Sequence, residues 1–182
     1  MIAGSARGVQ LTAPRGAGIR PVTDRVKETL FGILGERAAE ARVLDLYAGS
    51  GALGIEALSR GAAHADFVER DRRALVAIRA NLQRTRLAAR ASVHGVDVAR
   101  FLAGAPASAY DLVFVDPPYE LRDPPLNRLP PLLASGGMVV VKHFWRTDLP
   151  AVPGLAPVRT RRFGETALTF LAQTDAQEVP PA

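Results

Sequence analysis

The order of apolar runs and turn signals predicts an α/β fold. It is a three-layer sandwich with helices on both faces of a mostly parallel seven-stranded sheet and an antiparallel pair at the C-terminal edge. Three observations carry that prediction. Short β-branched and apolar runs alternate with stretches of helical periodicity over residues 42–141. Gly49-Ser50-Gly51-Ala52-Leu53-Gly54 is a G-x-G-x-x-G set between a predicted strand and a predicted helix. The buried run 112–115 ends abruptly in Asp116-Pro117-Pro118-Tyr119, because two prolines cannot continue a strand and Pro118 denies Pro117 the helical region.

Residues 1–22 are rich in Gly, Arg and Pro, with Ile2, Val9 and Leu11 spaced as in a short strand or hairpin. Thr23 can cap a helix over 24–38 whose buried face is Val26, Leu30, Ile33 and Leu34. The first strand of the main sheet covers 42–47. The glycine loop then leads into a helix ending near Ser59, with Leu53, Ile55 and Leu58 inward and Gly61 closing it. A second strand spans 65–69, and Asp71 starts a helix reaching Leu87 with Leu75, Ile78 and Leu82 on one face. The third strand is 91–96, a short helix follows Asp97, and 112–115 is the fourth strand. Pro124, Pro125, Pro130 and Pro131 leave room for only a short helix before Gly136-Gly137 turns into a fifth strand, 138–141. Residues 158–163 and 166–172, joined at Gly164-Glu165, supply the edge pair. The expected organisation is a basic arm and helix (1–40) packed on a core domain (41–172), followed by a frayed tail (173–182).

With 182 residues and nearly half of them apolar, the chain suits one domain with a substantial core. It has no cysteine, which excludes a disulfide framework and a thiolate zinc site, and His64, His94 and His143 show no ligand spacing, so no metal is expected. The first residues lack the apolar core of a signal peptide and no apolar run approaches membrane-spanning length, so a cytoplasmic protein without a membrane partner is expected. The formal charge is +5 and the sequence pI about 10.4. A positive field favours polyanions, nucleic acid first; an arginine-rich compositional bias accounts for the choice of Arg over Lys but less well for the sign. Arg7, Arg15, Arg20, Arg25 and Lys27 stand against the single acid Asp24. Residues 70–90 hold seven arginines and one aspartate, read mostly as an exposed helix face.

Glycines between a strand and a helix permit a tight turn and let a ligand touch bare backbone at a helix N-terminus. Glu69 lies twenty residues after Gly49 at the end of the next strand, where an acid accepts hydrogen bonds from both ribose hydroxyls of a nucleoside. Asp45, four residues before Gly49, would repel a phosphate but suits a cation such as the ammonium of an amino acid. Asp97 is placed either to meet an adenine amino group or to cap a helix, and the two roles are compatible. Three acids around a glycine loop fit S-adenosylmethionine better than NAD. Asp116 to Tyr119 sets a carboxylate, stiff carbonyls and an aromatic ring at the mouth of the sheet, which suits a planar base with an amino group; taken alone, the tetrapeptide is equally a strand-ending turn.

The chain resembles the class I S-adenosylmethionine-dependent methyltransferases, and more narrowly the bacterial 16S rRNA (guanine-N2)-methyltransferase family of the guanine-966 type. The likeness rests on Arg20-Pro-Val-Thr-Asp-Arg-Val-Lys-Glu-Thr-Leu-Phe31, on Leu44 through Gly61, on Phe67-Val-Glu69 and on Phe114-Val-Asp-Pro-Pro-Tyr119. Gly4, Arg7-Gly8 and Phe163-Gly164 also match, so the likeness covers roughly residues 2–172. It implies a Rossmann-like fold and cofactor contacts from Asp45, Tyr47, Gly49, Ser50, Gly51, Gly54, Glu69, Arg70, Asp97, Val98 and Asp116. It also implies catalytic roles for Asp116, Pro117 and Tyr119, with the carboxylate and the Pro117 carbonyl holding the amino group and the ring stacking on an extruded base. RNA contacts are expected from Arg7, Arg20, Thr23, Arg25 and Lys27. The implied reaction is methyl transfer to N2 of a guanine, guanine 966, in 16S rRNA or an assembling small ribosomal subunit, by a monomer. One departure stands out: where the family usually has a glutamate after the fifth strand, Lys142-His143 follows Val141. The alternatives are an adenine amino-group methyltransferase acting on RNA or DNA, a nucleotide-binding oxidoreductase, and a non-catalytic RNA-binding module.

Overall fold

In the computed structural model, which describes residues 1–13, 23–118, 121 and 123–174, the apolar runs pair into one sheet with the helices laid on both faces. The elements are α1 (Asp24–Leu34), β1 (Arg42–Leu46), α2 (Ala52–Ser59), β2 (His64–Val68), α3 (Arg72–Thr85), β3 (Ala91–His94) and α4 (Val98–Gly104). They continue with β4 (Tyr110–Val115), β5 (Leu133–Phe144), β6 (Leu155–Phe163) and β7 (Thr166–Gln173). Among the described residues seven strands form the sheet, in the order β3-β2-β1-β4-β5-β7-β6. β1 to β5 run parallel, whereas β7 is antiparallel to both β5 and β6. The predicted architecture is therefore found, edge pair included.

Alternation along each strand divides the core in two. Val43, Phe67, Leu112, Phe114, Val140 and Phe170 face α1, α2 and α3, while Leu44, Leu46, Val113, Val115, Val139 and Val141 face α4 and the turns after β4. Strands buried on both faces read as near-continuous apolar runs, as parallel sheets require. Phe31 of α1 meets Phe114 of β4 edge to face, ring centroids 5.8 Å apart, and the Arg60 guanidinium lies 4.8 Å from the Phe31 centroid. Thr23, Asp71 and Asp97 cap α1, α3 and α4 by accepting backbone N–H bonds, the N-terminal signal that predicted these helices.

Several boundaries differ from the sequence reading. The predicted strand or hairpin around Ile2, Val9 and Leu11 is instead a 3-10 turn, Gly4–Ala6, in an otherwise irregular segment. Its backbone finds side-chain partners on the helices rather than a strand: Ile2 and Ala3 donate to the Glu56 carboxylate at 2.9 and 3.0 Å. Ala6 N–H reaches Ser59 Oγ at 2.9 Å, and Thr12 N–H reaches Asn81 Oδ1 at 2.8 Å. Gly4 adopts φ +77°, and a Cβ there would collide with the Ser59 carbonyl, which accounts for glycine at that contact. α1 stops at Leu34 because Gly35 turns the chain (φ +54°), and residues to Ala38 form a 3-10 turn. The proline-rich connection forms two 3-10 turns, Leu126–Arg128 and Pro130–Leu132, and β5 begins earlier than predicted, with Gly136 and Gly137 inside it. β7 runs to Gln173 and Thr174 N–H bonds to Gly154 O at 3.0 Å, so the first two residues of the predicted tail belong to the sheet edge; residues 175–182 lie outside the described residues.

Glu56 is fully buried and its carboxylate joins the two N-terminal amides to Arg60 Nε, 2.8 Å away. Removing one partner of a buried ionic network leaves the other charge uncompensated. Glu56→Ala should therefore lower stability by about 3 kcal/mol, read as a drop in the urea midpoint at unchanged slope.

Candidate active site

The strand order reverses direction between β1 and β4, and the loops after these neighbouring strands open a crevice at their C-terminal ends, the place where open α/β sheets bind ligands. Into it run the glycine loop after β1, the acid after β2, the turn after β3 and the Asp-Pro-Pro segment after β4. The loop is built from positive-φ residues in quick succession: Tyr47 (+59°), Gly49 (+56°) and Gly51 (+77°). Gly51 then stands at the N-terminus of α2. Tyr47 pays for its left-handed backbone as a non-glycine residue; its phenol is half-buried, and burial together with the charge of Asp97 pushes its pKa up to about 12.

Gly54 decides how close α2 can come. A Cβ there would overlap the Phe67 ring, with Cζ at 2.7 Å and Asp45 Oδ2 at 3.1 Å. Asp45, on the α2 side of β1, is 2 % exposed, and its Oδ2 accepts the Gly54 N–H at 2.9 Å. Burial pushes the Asp45 carboxyl well above the usual carboxylate range; the Gly54 hydrogen bond opposes this, and the charges of Asp116 and Glu69 push it further up. A buried carboxyl whose pKa is raised by neighbouring carboxylates forms a site that a cationic ligand relieves.

Among the described residues, Glu69 is oriented by backbone N–H groups. Oε2 accepts the Gly49 N–H at 2.9 Å, and Oε1 accepts from Arg70 and Asp71, each at 2.8 Å. Asp97 caps α4 through Ala99 N–H at 2.9 Å and lies 3.4 Å from Arg70 Nη1. Val98 beside it is buried. The loop, Glu69, Arg70, Asp97 and Val98 are thus brought together at the strand ends. A rigid carboxylate beside bare loop backbone, flanked by further acids, fits a nucleoside that also carries positive charge, and so fits S-adenosylmethionine.

Across the crevice, Asp116 follows β4, its N–H facing Leu46 O at 3.4 Å. Its side chain is 19 % exposed and lies 2.6 Å, Oδ1 to Nζ, from Lys142 of β5. Burial raises the Asp116 carboxyl above its ordinary value, against the opposing pull of the Lys142 charge. Pro117 and Pro118 continue from it into the wall of a cavity of about 570 Å³ shared with Leu121, Lys142 and Phe144. Tyr119, the predicted stacking ring, lies outside the described residues.

The predicted RNA contacts separate. Arg7 and Arg25 are exposed, and Thr23 caps α1, its Oγ1 accepting Val26 N–H at 3.4 Å. Lys27 is 6 % exposed, its ammonium 2.9 Å from Asp24 Oδ1. Arg15 and Arg20 lie outside the described residues. Two functional neighbours escaped the sequence reading. Lys142 was noticed only as a departure. Asn81, fully buried, donates from Nδ2 to Ser50 O in the glycine loop at 2.9 Å and to Thr12 O at 3.0 Å, tying the N-terminal segment to the loop. Its signal was an amide interrupting the apolar stripe Leu75, Ile78, Leu82. Among the described residues no group of His, Asp and Glu could hold a metal ion, and no helix is long and apolar enough to cross a membrane.

Because α2 touches Phe67 with no space to spare, Gly54→Ala should destabilise the fold by about 1–3 kcal/mol through overpacking. The Phe67→Leu background should return part of that loss, measured as thermal midpoints of the four chains in the double-mutant cycle.

A family profile described as "Conserved hypothetical protein 95" matches residues 1–172. Ribosomal RNA small subunit methyltransferase D of Escherichia coli strain K12 is 38% identical over 183 residues, covering 97% of this chain and 90% of that protein. A solved structure from Escherichia coli superposes with a TM-score of 0.84 at 38% identity, covering 97% of this chain and 98% of the other. An RNA methyltransferase from Salinibacter ruber, solved with S-adenosyl-L-homocysteine, shares the fold at a TM-score of 0.68 and 20% identity, with 90% and 98% covered. With its glycine loop, strand-end acid and Asp-Pro-Pro segment in these places, the chain belongs to the conserved hypothetical protein 95 family and to its small-subunit rRNA methyltransferases, on the class I S-adenosylmethionine-dependent fold.

Proposed function

We propose that this chain transfers a methyl group from S-adenosylmethionine to the exocyclic N2 of a guanine in 16S rRNA, at guanine 966, free or in an assembling small subunit. The observation that carries this is the shielded Asp116 carboxylate and the rigid Pro117-Pro118 backbone at the rim of the cavity, one strand over from the glycine loop. The similarity to ribosomal RNA small subunit methyltransferase D of Escherichia coli supports the substrate class.

Glu69 would hold the ribose hydroxyls, Asp97 and Val98 the adenine, and Asp45 with Gly49, Ser50, Gly51 and Gly54 the amino-acid end, with Tyr47 and Arg70 flanking. When bound, S-adenosylmethionine supplies an electrophilic methyl group whose sulfonium charge is lost on transfer. The protein's task is then the amine. A guanine N2 lone pair is delocalised into the ring and attacks poorly. Asp116 accepts one N–H and the Pro117 carbonyl the other, favouring a pyramidal nitrogen aimed in line, so that catalysis comes from positioning and electrostatics, and the methylated nitrogen releases one N–H proton after transfer. Tyr119 stacks on a base taken out of its helix. Arg7, Arg20 and Arg25 grip phosphates beside Thr23, while Lys27 contributes through the first turn of α1, its ammonium being committed to Asp24.

Methyl transfer from labelled cofactor to small subunits lacking the modification, mapped by mass spectrometry, tests this directly: label at guanine N2 is expected, and label confined to adenine or to DNA overturns it. Asp116→Ala should reduce kcat by about 10²–10³ while leaving S-adenosylhomocysteine affinity within about twofold. Glu69→Ala should do the opposite, weakening that affinity by about 10–100-fold, the worth of one or two charge-assisted hydrogen bonds. Calorimetric titration separates the two.

A further inference from the structure

We propose that Lys142 is a positioning residue for the methyl transfer, pinning Oδ1 of Asp116 and so dedicating the other carboxylate oxygen to the substrate amino group. This rests on Asp116 being the acceptor of that amino group. β4 and β5 are parallel with Val115 opposite Val141, so residues 116 and 142 stand side by side one step beyond the last pair. Their side chains, 19 % and 11 % exposed, meet at 2.6 Å, a charge-assisted hydrogen bond at the short end of its range. Lys142 also lines the cavity with Pro117 and Pro118.

A carboxylate with two free oxygens can rotate; one anchored by an ammonium cannot, and orientation is what this chemistry asks of it. The same contact favours the ionised form of Asp116. The charged group acting on it is Lys142 from β5, while Asp116 and Glu69 both act on Asp45 of β1. Burial favours protonation of Asp116, and Lys142 opposes it. His143, the next residue, is engaged elsewhere: its ring nitrogens lie 2.9 Å from Thr169 Oγ1 and from Phe144 O, and burial lowers its pKa. The sign follows. A protonated Asp116 has lost its acceptor, so transfer falls as pH drops through its raised pKa. Without the Lys142 charge that pKa rises further, and the acid limb moves to higher pH.

Single-turnover methyl transfer to unmodified small subunits, measured from pH 6 to 9 for the wild-type chain, Lys142→Met and Lys142→Arg, tests this, with S-adenosylhomocysteine affinity measured alongside. Lys142→Met is expected to keep that affinity within about twofold, to lose at least about tenfold in rate at pH 7, and to move its acid limb up by about one pH unit, so that rate returns as pH rises. Lys142→Arg, which keeps the charge, should keep the limb in place. If Lys142→Met does not fold, Lys142→Gln against Lys142→Arg makes the same comparison. An unmoved limb with a rate within twofold of wild type overturns the role of Lys142 and leaves that of Asp116 standing. A wild-type chain that places no label on a guanine amino group overturns the function proposed for the site, and this role with it.

Discussion

The close seat of α2 on β1 and β2 is the constraint on which the rest of the site depends. Gly54 lets the helix reach the Phe67 ring, and the Asp45 carboxylate beneath takes the Gly54 N–H. A larger residue would lift the first turn of α2, and with it the loop from Tyr47 to Gly51 that ends there. That loop is in turn clasped by Glu69 through Gly49 N–H and by Asn81 through Ser50 O. One glycine therefore sets the relative position of backbone amides and two acids, Asp45 and Glu69, that otherwise come from separate strands. The buried carboxylate at the centre is held by one hydrogen bond and disfavoured by its neighbours, a local cost kept at the place where a positively charged ligand would remove it.

The N-terminal segment extends the same logic outward. It is too short to build a core, so its amides are satisfied by Glu56 and Ser59 on α2 and by Asn81 on α3, the last of which also bonds the loop. A segment carrying exposed basic charge thus shares a buried amide, Asn81, with the loop backbone.

Much of this was legible in the sequence because the signals are local. Thr23, Asp71 and Asp97 announced their helices as caps. The interval from the glycine loop to Glu69 encodes one strand-helix-strand unit, and the double proline marks where β4 must end. The missed features are those whose partners are remote in sequence. Ile2, Val9 and Leu11 alternate like a strand, but the backbone bonds that decide the matter go to residues 53 to 69 positions away. Lys142 looked like an unexplained substitution until the β4–β5 register set it beside Asp116, 26 positions earlier. Asn81 was hidden in an apolar stripe that predicted its helix correctly while saying nothing about its amide.

The two halves of the crevice solve the problem of charge differently. On the cofactor side, Glu69 is stabilised by three backbone N–H groups, fixed dipoles that add no net charge and leave its negative potential available to a cation. On the side where we propose the substrate binds, Asp116 is balanced by the Lys142 ammonium, which suits a neutral base that must be oriented rather than attracted. Exchanging these arrangements would fail on both sides. A lysine beside Glu69 would compete with a cationic ligand, and without Lys142 burial would push the Asp116 pKa higher still, against the acceptor role proposed for it. In the proposed reaction the difference in partners separates binding from chemistry between two carboxylates that both act on the buried Asp45.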